Sequence, residues 1–269
     1  MSFREFVYFR TGKLYQPTGL DFRKLSRAYE DLRLQSKDLQ QLFSEYLLKG
    51  GYPELTGEAD FENVRRYTES LLNKVVYKDL PKLFGISEPD KVAEILKIAC
   101  YRPGFLLDYQ SLAADLKLTR QTVAKYVGNL AKAGLITLTE NWRSGKISGL
   151  KKRKKIYLMC PSLAAAFLHE FELLKIQPYL VETAFYQHFA GRYFWADAHE
   201  VDLILDGTRQ AVEVKWTDAI APKDLKGLVW FAKKRKYAAV VASRGVMERR
   251  ILDGLAVHFV PAWLALLFA

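Results

Sequence analysis

The segment that most constrains this chain is Glu200-Val201-Asp202-Leu203-Ile204-Leu205, followed by Asp206-Gly207-Thr208-Arg209 and Gln210-Ala211-Val212-Glu213-Val214-Lys215-Trp216. Two apolar runs around a short Asp-Gly stretch predict a β-hairpin. Side chains alternate along a strand, so Ala211, Glu213 and Lys215 share one face, while Val212, Val214 and Trp216 share the other. If Leu205 pairs with Gln210, Asp202 stands opposite Glu213. In a tighter turn, Asp202 is diagonal to Glu213. Both registers place Asp202, Glu213 and Lys215 on one face.

Two facing carboxylates repel, and a divalent cation relieves the repulsion. Oxygen ligands suit Mg²⁺ or Mn²⁺. Lys215 is then placed to orient or help deprotonate a water and to steady developing charge. Glu182, the one acid in Leu180-Val181-Glu182-Thr183-Ala184-Phe185, supplies a third or an outer carboxylate. The bland alternative is a set of ordinary strand charges, with Glu213 paired to Lys215.

Upstream, three helices and two strands are expected. Pro89 sits in the first turn of the first helix. Residues 109–116 form the second. Thr119 caps the third, which runs to Ala133 and stops at Gly134. Strands at 135–139 and 156–159 complete a winged helix-turn-helix. Val123, Val127 and Leu130 face the core at helical spacing, which leaves Arg120, Gln121, Lys125 and Asn129 outward. These residues suit base edges or phosphates. In the wing, between Asn141 and Met159, come Arg143, Lys146, Lys151, Lys152, Arg153, Lys154 and Lys155, with no acid among them, a pattern that tracks a phosphate backbone. A winged helix used for protein contacts is the competing reading.

The net charge of +11 over 269 residues favours a polyanionic partner, nucleic acid before an anionic membrane. Cys100 and Cys160 show no zinc spacing, and the chain begins without an apolar leader, so a cytoplasmic protein is expected. The apolar end, Leu255 to Ala269, is too short to span a bilayer and is interrupted by Pro261, so no membrane partner is expected. Residues 21–49 carry apolar residues at helical spacing and stop at Gly50-Gly51-Tyr52-Pro53. A further helix through Val64, Tyr67, Leu71 and Val75 is expected to end near Pro81. The fold class is therefore multi-domain α+β and α/β: a helical region at 1–87, the winged helix at 88–160, and an α/β domain at 161–269.

Glu182, Asp202, Glu213 and Lys215 resemble the PD-(D/E)XK nuclease superfamily residue by residue, except that Val201 stands where the motif has Pro. The resemblance implies a restriction-endonuclease-like α/β fold for residues 161–269 and Mg²⁺- or Mn²⁺-dependent phosphodiester hydrolysis, with the three acids holding metal and all four residues catalytic. Over nearly its full length the chain also resembles the C-terminal portion of archaeal and bacterial AAA-like ATPases that carry the domain of unknown function 4143. The cues are Ser2-Phe3-Arg4-Glu5-Phe6, Tyr46-Leu47-Leu48-Lys49-Gly50-Gly51-Tyr52-Pro53-Glu54, Lys78-Asp79-Leu80-Pro81, the winged helix, and Val260-Pro261-Ala262-Trp263-Leu264. This resemblance implies an ATPase subunit as a partner and likens residues 1–85 to the ATPase lid and linker. No GxxxxGK[ST] occurs, so the chain is not expected to hydrolyse ATP by itself. Two readings stand: a metal-dependent DNA endonuclease, or a catalytically inert module that docks DNA or an ATPase. Two-fold dimers are frequent among proteins acting on duplexes, which leaves a homodimer open.

Overall fold

Local signals in the sequence set the helix ends. In this computed structural model, which describes residues 1–142, 154–191 and 193–269, helix α1 (Phe3–Thr11) starts at a capping box. Ser2 Oγ accepts from the Glu5 amide at 3.3 Å, and Glu5 Oε2 accepts from the Ser2 amide at 2.6 Å. Asp21 caps α2 (Phe22–Asp31), which gives way through a 3₁₀ turn to α3 (Ser36–Lys49). The expected 21–49 segment is thus two helices. The break follows the side chains: Leu32 is buried, while Leu34 is 98 % exposed. Asp60 caps α4 (Phe61–Lys74). A π-turn at Val75–Asp79 then passes directly into α5 (Leu80–Phe84). Pro81 does not end the helical run as expected. It occupies the first turn of α5, where its missing N–H is no loss, and Gly85 at φ +61 makes the stop.

Next come α6 (Pro89–Tyr101), β1 (Phe105–Leu107), α7 (Tyr109–Leu116), α8 (Arg120–Lys132), β2 (Ile136–Asn141) and β3 (Lys154–Leu158). Asp108 caps α7, and Thr119 caps α8 by accepting from the Thr122 amide at 3.1 Å. The rest of the chain runs α9 (Glu170–Lys175), α10 (Gln177–His188), β4 (Tyr193–Ala196), β5 (Glu200–Leu205), β6 (Gln210–Val214) and α11 (Lys226–Arg235). It closes with β7 (Ala238–Ser243), β8 (Glu248–Leu252), β9 (Leu255–Pro261) and α12 (Ala262–Leu267). β1 and β8 were not expected. β1 is three residues long, and Glu248-Arg249-Arg250 gives an edge strand the composition of a loop.

One mixed sheet collects the strands of the described residues in the order β1-β3-β2-β4-β5-β6-β7-β9-β8. β2 meets β4 in parallel at Glu140–Tyr193 and Asn141–Phe194, so the sheet crosses the expected boundary at 160 and 161. Asn141 locks that junction: its Nδ2 donates to the Ala196 carbonyl at 2.8 Å, and its Oδ1 accepts from the Ala196 amide at 3.2 Å. β6, β7 and β9 run parallel, joined through α11 and β8.

The larger core runs from Phe3 to Phe268, with α10, α12 and the N-terminal helices on one side of the sheet. A smaller core lies beneath α11, around Trp195, Ile204, Leu228, Phe231 and Val241. The N-terminal helices are fastened to the end of the chain. The Phe3 amide donates to His188 Nε2 at 2.6 Å, and Arg4 donates to the Ala269 carbonyl at 3.0 Å. Gly51, at φ +122, brings its backbone against Cys160, where a Cβ would stand 2.4 Å from the Cys160 Cβ. Only glycine fits that approach.

Candidate functional site

β5 and β6 pair through Leu205–Gln210, Ile204–Ala211 and Leu203–Val212, the wider of the two expected registers. The ladder stops one pair short of Asp202 and Glu213. There Asp202 Oδ2 takes the place of a backbone acceptor and receives the Val214 amide at 2.8 Å. β5 is also irregular against β4 at this point. Strands that part in this way leave room beside their side chains, and the acids gather in it.

Glu213 is buried. One oxygen accepts from Lys215 Nζ at 2.7 Å, and the other, Oε2, is buried with no hydrogen-bond partner. An unpaired buried carboxylate oxygen is costly and calls for an explanation. Glu182 projects from α10 on the larger-core side. It accepts from the Tyr157 hydroxyl and lies 3.6 Å from Lys155 Nζ. Tyr157 stacks on Tyr186 with ring centroids 4.0 Å apart, and the Tyr186 hydroxyl donates to the Asp202 carbonyl. Glu182, Asp202, Glu213 and Lys215 therefore lie near enough to feel one another's charge.

The structure adds Lys155 to this cluster. It was expected in the basic run that tracks phosphate. Instead it is 6 % exposed, bonds Glu200 and neighbours Glu182. The reason is the strand period: Lys155 and Tyr157 alternate onto the same face of β3, toward α10. Lys154 stays at the surface, 4.0 Å from Glu140. Arg143, Lys146, Lys151, Lys152 and Arg153 lie outside the described residues. On α8, Arg120, Gln121 and Lys125 are exposed as expected. Asn129 is not: it is 5 % exposed with Nδ2 unpartnered, because Tyr126 joins Val123, Val127 and Leu130 and swings the buried arc toward it.

Four carboxylates (Glu182, Glu200, Asp202 and Glu213) face two ammonium groups, Lys155 and Lys215, so full ionisation leaves two negative charges unmatched. Burial, then the Asp202 charge, pushes Glu182 up to about 8. Burial likewise raises Asp202 against the pull of Lys155 and Lys215, and raises Glu213 well above the carboxylate range, with Asp202 adding to it. Burial opposes the charge on Lys155, but Glu182, Asp202 and Glu200 outweigh it and hold the ammonium protonated. Two added protons or one divalent cation would balance the cluster.

The fit to such a cation is partial. Glu213 Oε2 and the remaining Asp202 oxygen are suitable hard donors. Glu182 is occupied by Tyr157 and Lys155, and among the described residues no three His, Cys, Asp or Glu side chains converge as a metal set. Asp202 and Glu213 are the residues that could hold the ion, with Glu182 outside it. A cavity of about 320 Å³ opens near the other end of the hairpin, at Asp206, Gly207 and Gln210, and none of the cluster acids lines it. No helix among the described residues is long and apolar enough to cross a membrane.

No curated protein and no solved structure matches the chain. Residues 40–173 match the domain of unknown function DUF8612. The cluster is thus drawn from both sides of the junction at 173–176, with Lys155 and Tyr157 on one side and the acids with Lys215 on the other, and residues 176–263 carry the domain of unknown function DUF4143.

Proposed function

We propose that this chain is a DNA-binding protein with a Mg²⁺- or Mn²⁺-dependent nuclease domain of the PD-(D/E)XK type, preceded by a winged helix. The observation that carries the reading is the grouping of Asp202, Glu213 and Lys215 where β5 and β6 part, with Glu213 Oε2 buried and unpaired and the Glu182 charge close enough to act on Glu213. The order α6-α7-α8-β2-β3 and the exposed Arg120, Gln121 and Lys125 support the DNA-binding half. Asp202 and Glu213 hold the ion in this reading. A divalent ion held there would supply Lewis-acid chemistry toward a phosphodiester. Burial opposes the charge on Lys215, but Glu213 and Asp202 outweigh it, and the ammonium would orient a water and steady charge on the phosphate. Lys155 and Tyr157 fix Glu182 beside them.

The test is calorimetric titration of Mg²⁺ and Mn²⁺ into wild type, Asp202→Ala and Glu213→Ala, followed by cleavage of plasmid, junction and single-stranded DNA. Wild type binds and cleaves, both variants lose the ion, and Lys215→Ala loses cleavage while keeping DNA binding. A Lys215→Ala protein that cleaves at the wild-type rate sinks the assignment.

A second reading, an inert module docking DNA or an AAA-like ATPase subunit, draws on different observations. Lys155 already neutralises part of the cluster, and Glu182 is tied up. Phe9, Leu14, Leu34 and Leu83 of the N-terminal helical region are exposed. This reading expects DNA binding that is indifferent to metal and to Asp202 or Glu213.

A further inference from the structure

Helix α11 buries Leu228, Val229, Phe231 and Ala232 on the sheet and turns Lys226, Trp230, Lys233 and Lys234 to solvent. It holds no acid. Cations in its last turn suit the helix dipole. Lys226 in the first turn, and Lys223 in the 3₁₀ turn before it, stand at the end the dipole makes positive, so helix stability does not account for them. Among these lysines Trp230 is 40 % exposed. Its indole lies on that of Trp195, with centroids 5.0 Å apart and planes at 14°. Trp195 is itself buried against Phe231. Phe231 in turn packs on Trp142, over which Arg235 lies. Trp230 is therefore the outer ring of a fixed aromatic stack.

We propose that this face of α11 binds single-stranded nucleic acid, with unpaired bases stacking on Trp230 and phosphates meeting Lys226, Lys233 and Lys234. An indole held in place by a buried ring and surrounded by cations is the combination that binds such strands without reading sequence. A duplex keeps its base faces stacked inside and offers an exposed ring nothing to stack on. Lys234 Nζ lies 4.4 Å from the Trp230 centroid. At an exposed site that contact is weak, and a base displaces it while the ammonium moves to a phosphate. Of the acids nearby, Asp224 accepts from the Ala221 amide and Glu200 is bonded to Lys155, while Lys233 Nζ donates to the Asp253 carbonyl at 2.7 Å, an exposed bond it exchanges for a phosphate. The inference stands on α11 and holds whether or not the carboxylate cluster cleaves.

Fluorescence anisotropy of the full chain tests it, using labelled oligothymidylate, an abasic strand of equal length and a duplex. Wild type binds oligothymidylate more tightly than the abasic strand. Trp230→Ala weakens oligothymidylate binding roughly tenfold, closing that gap, and Trp230→Phe recovers most of the loss. Lys233→Gln with Lys234→Gln weakens both strands and flattens the salt dependence by about 0.7 in logarithmic slope per contact removed. Equal binding of the two strands by wild type, or unchanged oligothymidylate binding by Trp230→Ala, overturns the proposal. So does self-association that Trp230→Ala abolishes, which makes the face a protein interface. Arg120→Ala with Lys125→Ala separates this surface from the winged helix. Loss of duplex binding alone leaves the α11 inference standing, and loss of oligothymidylate binding in that variant overturns it.

Discussion

Helices α10 and α11 pack on opposite sides of the same sheet and treat charge in opposite ways. α10 carries Glu182 and His188 inward, where burial moves both: Glu182 up to about 8 and His188 down to about 4. α11 carries its lysines outward, where water solvates the ammonium groups. A charge kept in the interior lowers stability unless partners compensate it, so its presence points to chemistry or to a docking contact. A charge kept at the surface is nearly free and becomes informative only through its neighbours, here Trp230. The two helices thus carry the two proposals with different kinds of warrant, and four measurements can break or sharpen the contrast.

The largest effect is expected at Lys155. It compensates Glu182, Glu200 and Asp202 from a buried position. Lys155→Met strands those carboxylates and costs about 3–5 kcal/mol in urea unfolding at neutral pH. A loss below about 1 kcal/mol, the scale of a surface pair, means that the acids are held by protons and that Lys155 adds little.

His188 comes next. It accepts the Phe3 amide through Nε2 and places Nδ1 2.7 Å from the Ala184 carbonyl, an arrangement only the neutral ring satisfies. Its folded pKa of about 4 lies below its ordinary 6.5. The unfolded chain therefore takes up the proton first as pH falls. The contribution of the neutral ring is full above pH 6.5 and is lost progressively down to about pH 4. Stability is expected to fall by about 3 kcal/mol over that window from this residue. His188→Asn should flatten the profile there, at a lower plateau. An identical pH profile in the variant would show that the N-terminal contact does not report His188.

How far these features could be read from the chain depended on period and contrast. Asp202, Glu213 and Lys215 were legible because the β5–β6 hairpin has a clear turn, although β5 departs from simple alternation at Asp202, and Glu182 because it interrupts an apolar helix. The ends of α7 and α8 followed from Tyr109, Thr119 and Gly134. Lys155 was hidden by its neighbours: as the last residue of a basic run it looked like surface, and only the start of β3 at Lys154 turns it inward. Asn129 was misplaced because three aliphatic positions define the buried arc of α8 too narrowly without Tyr126. The α11 surface was missed because the exposure of Trp230 and its stack on Trp195 join residues from two elements. Nothing in a single-strand or single-helix pattern shows such a meeting.

Glu213 offers a smaller effect of opposite sign. If its unpaired buried oxygen serves ion binding, replacing the carboxylate removes an uncompensated buried polar atom. Glu213→Gln is expected to stabilise the metal-free chain by about 1–2 kcal/mol while abolishing any Mg²⁺-dependent rise in Tm. Destabilisation by the same amount makes the Glu213–Lys215 pair structural and favours the inert reading.

The smallest change is expected on α11, and its smallness is what the contrast requires. Lys226→Gln, Lys233→Gln and Lys234→Gln together should shift unfolding by no more than about 0.5 kcal/mol per site. Lys233 gives up one exposed hydrogen bond to the Asp253 carbonyl, and Lys234 gives up its contact with Trp230. Removing Lys226 from the first turn should be neutral or slightly favourable, since the dipole opposes a cation there. If urea unfolding of the triple variant instead shows a loss of several kcal/mol, the lysines are part of the packing beneath them. The outward face of α11 would then have a structural reason to be basic and aromatic, and the argument for a bound strand would lose the feature that distinguishes it from α10.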